Sequence, residues 1–488
     1  MKQKKRMIIV AAYLITLGLL IAFILSVTGL TLRAMLLVAI ALTLLLPMTI
    51  RAATKGLDLF EPVVISNVAL GVMFLGRPLS DLLTGETTHL GYSILGTFNE
   101  ALLVALVGTV CFEMGYFGTL GSVWARRLPK PPPFQPERAA AAGWLYFFLG
   151  GALFSLFLAT QGGVGILKSL LAGRQQSHNE LFLSSTGYLY NGIAMWAATA
   201  LIFFAVAWVG KRHAYRIWFI FPTAFLLMYY GASGARSQLL PLALSIPVFW
   251  YLWKGKRPRL LVVIIVLLVG ISLLGWMRET RNADAVARQS AGQALITALI
   301  SPVQQAEEIF TGSDAEMFDS MTNELLILPD QTSFQHGATI TDVLVRMVPR
   351  PLWPNKPLES NDIFVSTLWP EHYAASRAAP AFSVIGVFYA DSGYLTVALG
   401  MLLIGVLFSM LWHWLQLFKT EPIAQMIYAM GLPFAIILMR GTIPDTLSRM
   451  LFLFVPLLLL IWGLRIHIRA SEKRGRDHLQ VRRRYRYQ

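Results

Sequence analysis

The stretch MIIVAAYLITLGLLIAFILSV, from Met7 to Val27, carries no charged side chain, and similar runs recur along the chain. A segment of roughly 20 apolar residues can leave water only as a helix spanning a bilayer, because the hydrocarbon core offers its backbone no outside hydrogen-bond partner. Barrel strands alternate over about 10 residues, so continuous runs of this length exclude a transmembrane β-barrel. Composition agrees, with 56% hydrophobic and 14% charged residues among 488, against roughly 25% charged in soluble domains. The chain reads as an all-α polytopic membrane protein. Its first apolar run is longer than a signal-peptide core and no clear cleavage site follows, so it is expected to be retained. The single cysteine, Cys111, excludes an intrachain disulfide and a cysteine metal cluster.

The runs predict about twelve spans, near 7–29, 34–50, 59–77, 94–118, 140–160, 189–209, 217–232, 238–253, 260–277, 393–417, 422–439 and 449–468. Lys and Arg in the connections set the orientation. With the N-terminus inside, the segments KQKKR, RAATKG, WARRLPKPPPFQPER, KRHAYR, KGKRPR and KTEP and the tail are all cytoplasmic, and they hold about 27 of the 41 Lys and Arg. Both termini then face the cytoplasm. The net charge of +15 is mostly this topology. The resulting organisation is spans 1–9 over 1–277, a large periplasmic loop with short helices over 278–392, spans 10–12 over 393–468, and a basic cytoplasmic tail over 469–488. The tail fits an anchor at anionic lipid. No nucleic-acid partner is expected, since no recognition motif accompanies it.

The remaining cations sit at the outer rim. Arg174 follows a glycine-rich stretch. Arg236 lies in the turn YYGASGARSQLLP. Arg278 and Arg281 lie where the ninth span ends, and Arg440 and Arg449 flank RGTIPDTLSR. Arg350 and Lys356 belong to MVPRPLWPNKPLESND, which has Pro349, Pro351, Pro354 and Pro357 around Trp353. Prolines fix φ and restrict the preceding residue, so this elbow is stiff. Each arginine alone is an ordinary interfacial residue. Together, on the face where positive charge is normally depleted, they suggest a cleft for an anionic headgroup, because the guanidinium fork takes phosphate oxygens in pairs. Trp353 would stack on a sugar or anchor at the interface.

The elbow, FQHGATITDVLVRMVPRPLWPNKP (334–357), resembles the outer-loop signature of Wzy-type O-antigen and oligosaccharide repeat unit polymerases. Further pieces resemble the family in order: LDLFEPVVISNVALGVMFLGRPL (57–79), GGVGILKSLLAGR (162–174), SGARSQLL (233–240), PAFSVIGVFYADSGYL (380–395) and LMRGTIPDTLSR (438–449). The resemblance implies a GT-C-like membrane glycosyltransferase without a cofactor. Such an enzyme transfers a growing glycan from polyprenyl diphosphate to the non-reducing end of a new polyprenyl diphosphate-linked oligosaccharide, beside a flippase and a chain-length regulator. On that resemblance Arg174, Arg236, Arg350, Arg440 and Arg449 would hold the diphosphates, with Arg278, Arg281 and Lys356 as additional candidates.

A glycosyl acceptor also needs a base or an orienting partner. The outer-face candidates are His336, His372, Glu359, Asp362, Asp391 and Asp445. Of these His336 is the most attractive base, while Asp445 is expected to support Arg440 or Arg449 and Asp391 to cap the re-entering helix. Glu100 is a candidate for the cleft, and Glu113 is expected to face Arg126 or Arg127. No zinc or nucleotide motif is present. Two other functions fit a similar topology: a lipid-linked glycan ligase and a secondary transporter. The asymmetric outer loop and the rim charges disfavour transport.

Overall fold

The computed structural model describes residues 2–54, 56–163, 165–167, 187–233, 236–282, 310–312, 315–348, 360–376, 380–441 and 443–463, with Trp353, Asn355 and Pro357. In chain order, α1 is Lys2–Thr28 and α2 Leu32–Thr54. Then come α3, Pro62–Thr84, and a hairpin of β1 (Thr88–His89) and β2 (Tyr92–Ser93). The next helices are α4 (Phe98–Phe117), α5 (Leu120–Arg127), α6 (Pro136–Gln161) and α7 (Met195–Trp208), the last entered through a 3-10 turn over Gly187–Ala194. After these lie α8 (Tyr215–Ala232), α9 (Arg236–Trp253) and α10 (Leu260–Asn282). The segment before the last spans carries α11 (Met317–Ile327), α12 (Ala338–Met347), α13 (Ser360–Leu368), α14 (Pro370–Ser376) and α15 (Ser383–Ser392). The chain closes with α16 (Tyr394–Leu417), α17 (Pro422–Arg440) and α18 (Ile443–Gly463).

Among the described residues nine helices are long and apolar enough to cross a membrane: the apolar part of α1, α2, α3, α4, α6, α7 with its entry turn, α16, α17 and α18. The protein is a multi-pass α-helical membrane protein. Helices also occupy the other three expected segments, as α8, α9 and α10. An arginine in the first turn and internal prolines (Pro222 in α8, Pro241 and Pro247 in α9) make the first two less apolar. Large apolar side chains such as Phe148, Ile217, Leu261 and Trp462 stand exposed along the helices, as expected where lipid is the solvent.

Two buried clusters organise the bundle. The first joins α1–α4 to α16 and to the loop helices α11, α13 and α15. The second joins α6–α9 to α17 and α18. Helices in lipid gain little from hydrophobic exclusion and associate through close packing at small residues. Here α4 and α16 meet backbone to backbone. A Cβ at Gly115 would fall 2.1 Å from the Leu402 carbonyl oxygen, and one at Gly405 would fall 2.2 Å from that of Phe112.

Two local features position the site. Pro78 has no N–H to give four residues back, and the preceding turn of α3 widens to a π-turn over Val72–Gly76. The extra residue shifts the angular phase of the rest of α3, from Arg77 onward. Helix α11 is buried nearly all round, including its polar residues Asp319, Ser320, Thr322, Asn323 and Glu324. A helix with that pattern sits inside protein and needs partners for each polar group. Thr97 donates to the Thr322 carbonyl at 2.7 Å, and Asn323 donates to the His89 carbonyl at 3.0 Å, so the hairpin and α4 hold α11 down. Glu113 accepts from Asn67 at 2.6 Å, in place of the arginine partner expected from sequence. Glu100 accepts from the Tyr389 hydroxyl at 3.1 Å.

Candidate active site

The face that carries α11–α15 holds two recesses among the described residues. The first has arginine at its rim. Arg449, in the second turn of α18, donates to the Ser237 hydroxyl at 2.6 Å and pairs with Asp445 at 2.6 Å, one helical turn earlier. Ser237 follows Arg236, which is buried where α9 begins. Tyr190 donates to the Gln238 side-chain oxygen at 3.4 Å. Arg449, Ser237, Gln238, Tyr190, Asn191 and Tyr230 line a recess of about 440 Å³, counted with its open mouth, on an apolar floor of Phe434, Ile437 and Leu453. The first turn of α9 borders this space, so the positive end of its dipole lies there as well. Arg440 closes α17, just before the connection that leads into α18 and Arg449. The bond to Ser237 brings Arg449 to the turn that carries Arg236, and Asp445 forms an ion pair with Arg449, one of the two partners expected for it.

The second recess, of about 400 Å³ by the same measure, is lined by Glu324 of α11, Gln335, Thr339 and Asp342 of α12 and its entry, Ser360, Asn361 and Phe364 of α13, Val387, Ala390 and Asp391 of α15, and Pro444. Its carboxylates are placed by capping. Asp391 accepts from the backbone N–H groups of Gly337 and Thr339 at 3.0 and 3.1 Å. It therefore caps α12 and not the re-entering helix α16. Asp342 accepts from the Ser360 backbone at 2.8 Å and its hydroxyl at 2.6 Å, which caps α13. Burial pushes the Glu324 carboxyl well above the usual carboxylate range.

His336 takes neither recess. Its backbone is left-handed, with φ 38°, and its N–H donates to the Asp391 carbonyl at 2.7 Å. The ring is exposed, 3.4 Å from the Ser392 hydroxyl. Trp353 is exposed at 39%. Arg278 and Arg281 lie in the last turns of α10. Arg174, Arg350 and Lys356 lie outside the described residues. In sequence the elbow connects α12 to α13, both of which line the second recess.

Sequence reading passed over Arg77. Its guanidinium is 3% exposed and sits among three carboxylates: Asp319 at 2.6 Å, Asp81 at 3.0 Å and Glu86 at 3.2 Å. It also donates to the Thr311 carbonyl. The His89 ring lies 3.8 Å from Asp319, and burial pulls its pKa below the usual histidine value. The only signal in sequence was an arginine at the last position of the third expected span, 59–77. Among the described residues no group of His, Cys, Asp and Glu is arranged to hold a metal ion.

No family model, curated protein or solved structure matches this chain.

Proposed function

We propose that the chain is a membrane glycosyltransferase of the Wzy type, which polymerises lipid-linked oligosaccharide repeat units on the outer face of a bacterial inner membrane. In this reading the bundle has twelve spans, both termini are cytoplasmic, and the loop face is periplasmic. The growing glycan leaves one polyprenyl diphosphate for the non-reducing end of a new lipid-linked unit. An acceptor hydroxyl attacks the anomeric carbon, the bond from that carbon to the diphosphate oxygen breaks, and the diphosphate leaves with the electron pair. Arg449 and Arg236 stabilise the charge that develops there, which is guanidinium chemistry.

The observation that supports this reading is the bond from Arg449 to Ser237, residues 212 apart in sequence. It joins two short turns, each carrying an arginine, at one recess on the loop face. The Asp445 carboxylate holds the Arg449 side chain while leaving part of it open.

The test is to supply the purified protein with a polyprenyl diphosphate-linked oligosaccharide, without nucleotide, and to resolve the products on a gel. A ladder spaced by one repeat supports polymerisation. Transfer only to a foreign lipid acceptor makes the protein a ligase using the same recess. Movement of the intact substrate across a vesicle membrane without bond cleavage makes it a transporter.

A further inference from the structure

Helix α12 carries its polarity the wrong way round for a surface in water. Its polar residues Thr339 and Asp342 are buried, and Asp342 Oδ2 is committed to the cap of α13. Its large aliphatic side chains point outward. Ile340 is 72% exposed, and Leu344, one turn further on the same face, is 63% exposed. Both stand outside the linings of the two recesses. Thr341, exposed between them, donates its hydroxyl to the Ala338 carbonyl at 3.1 Å, so even the polar side chain on this face has a partner within the helix. A helix on an aqueous surface shows the opposite order, with its apolar stripe toward the protein and its polar face toward solvent.

The fold sets this face at the edge of the bilayer. The entry to α12 is stitched to the last residues before the span α16. Gln335 donates its N–H to the Ala390 carbonyl at 3.0 Å and His336 to that of Asp391 at 2.7 Å, while the Asp391 carboxylate holds the first turn of α12. Gly393 follows, where a Cβ would stand 3.7 Å from the Phe334 ring, and α16 begins at Tyr394. Leu395 and Leu399 then open the lipid-facing side of α16. Helix α4 gives the same level independently. Tyr389 donates to Glu100, and Leu103, about one turn deeper in α4, is already exposed. Leu344 is eight residues from His336, so it lies no more than about 12 Å along the helix from this stitched entry.

We infer that α12 is seated in the lipid leaflet on the loop face, with Ile340 and Leu344 among the acyl chains. The partner that fits is the boundary between headgroups and chains, where an amphipathic helix buries its apolar face to a depth of roughly 5–10 Å. Trp353, exposed in the connection that follows α12, is a side chain of the type enriched at that boundary. Seated in this way, α12 forms the wall between the leaflet and the second recess, which it lines from the other side with Thr339 and Asp342. The inference is independent of the transferase reading, since it requires only that the chain spans a membrane.

The test places the full chain in phosphatidylcholine vesicles whose acyl chains carry bromine either near the glycerol or near the tail end. The single native cysteine is removed by Cys111→Ser. A bimane fluorophore is then attached at Ile340→Cys, at Leu344→Cys or, as a water-facing reference, at Glu371→Cys, an exposed position on α14. Bromine near the glycerol is expected to quench the two α12 probes roughly twofold, and bromine near the tail end to quench them less. Iodide in the water is expected to quench the Glu371→Cys probe and to spare the other two. Quenching of the α12 probes by iodide and not by bromine puts the face in water and overturns the inference. Shielding of both from either quencher means that protein covers the stripe, a second copy or another part of this chain, and overturns it as well. The unchanged protein gives a second measurement that no substitution can disturb. A carbene-generating group on the upper acyl chain is expected to label the peptide 338–347, and labelling confined to the spans overturns the inference.

Discussion

Arg77 and Arg449 are the same side chain put to opposite uses. Arg77 is enclosed by Asp319, Asp81 and Glu86 at 2.6 to 3.2 Å, and its own side chain is 3% exposed. Among the described residues Arg449 has one carboxylate, Asp445, and 26% of its side chain remains open at a recess. The first arginine is saturated: its attraction is spent on α11, which it ties to α3. The second keeps donor capacity for something that arrives. A guanidinium given more carboxylates than it needs is a clasp, and one given a single carboxylate and an open side is a receptor for anions.

That contrast is broken most severely by removing one half of the clasp. Asp319→Ala leaves Arg77 with fewer buried partners and is expected to cost roughly 3–5 kcal/mol, seen as loss of monodisperse protein after extraction in detergent. The triple change Arg77→Met, Asp81→Leu, Asp319→Leu is expected to be milder than the single change, since it leaves no buried partner of this cluster with a stranded charge, Glu86 being half-exposed. If the single and triple variants fold equally well, the cluster is not a clasp.

At the open site the effect moves from folding to turnover. Arg449→Ala is expected to lower kcat/KM by roughly 2–5 kcal/mol of transition-state stabilisation with an unchanged melting temperature. A drop in melting temperature like that of Asp319→Ala would put Arg449 in the structural class. Asp445→Asn keeps the shape but weakens the hold on Arg449, and a loss of roughly 1 kcal/mol, about fivefold in rate, is expected.

Glu324 gives a pH test of stability. Burial raises its pKa in the folded protein above the unfolded value, so its contribution is fully present at low pH and is lost as the pH rises through the folded pKa. The melting temperature of the unchanged protein should therefore fall more steeply with rising pH than that of Glu324→Gln. Equal slopes would show that Glu324 ionises over the same pH range folded as unfolded, against a raised pKa. The smallest effect is expected at Arg212, which pairs with Glu137 at an exposed site with side chains 56% and 66% open. Arg212→Ala should alter neither melting nor turnover.

The spans were legible because bilayer thickness imposes a length and an apolar content that are properties of sequence alone. The arginines at the short turns were also legible, since a turn between two apolar runs is bounded by sequence alone. What escaped was anything decided by a partner far along the chain. Nothing in VMFLGRPL announces that Arg77 will meet Asp319, because that pairing depends on a loop helix folding back into the bundle. His336 stood out by its chemistry and turned out to be exposed, whereas Glu324, in the plain stretch MTNELLI, is enclosed. Depth of burial for a loop residue is set by tertiary packing, which local pattern does not encode.

The glycine contact between α4 and α16 also has a consequence in time. Residue 394 follows residue 117 by almost 300 positions, so at about 5–20 residues per second α4 waits roughly 15–60 s for the helix that covers its Gly115 surface. During that interval α11 has no finished bundle to enter. Assembly of the face that holds the two recesses is therefore a late event in synthesis, and a chain cut short before α16 would reach the membrane with spans but without a place for its loop to dock.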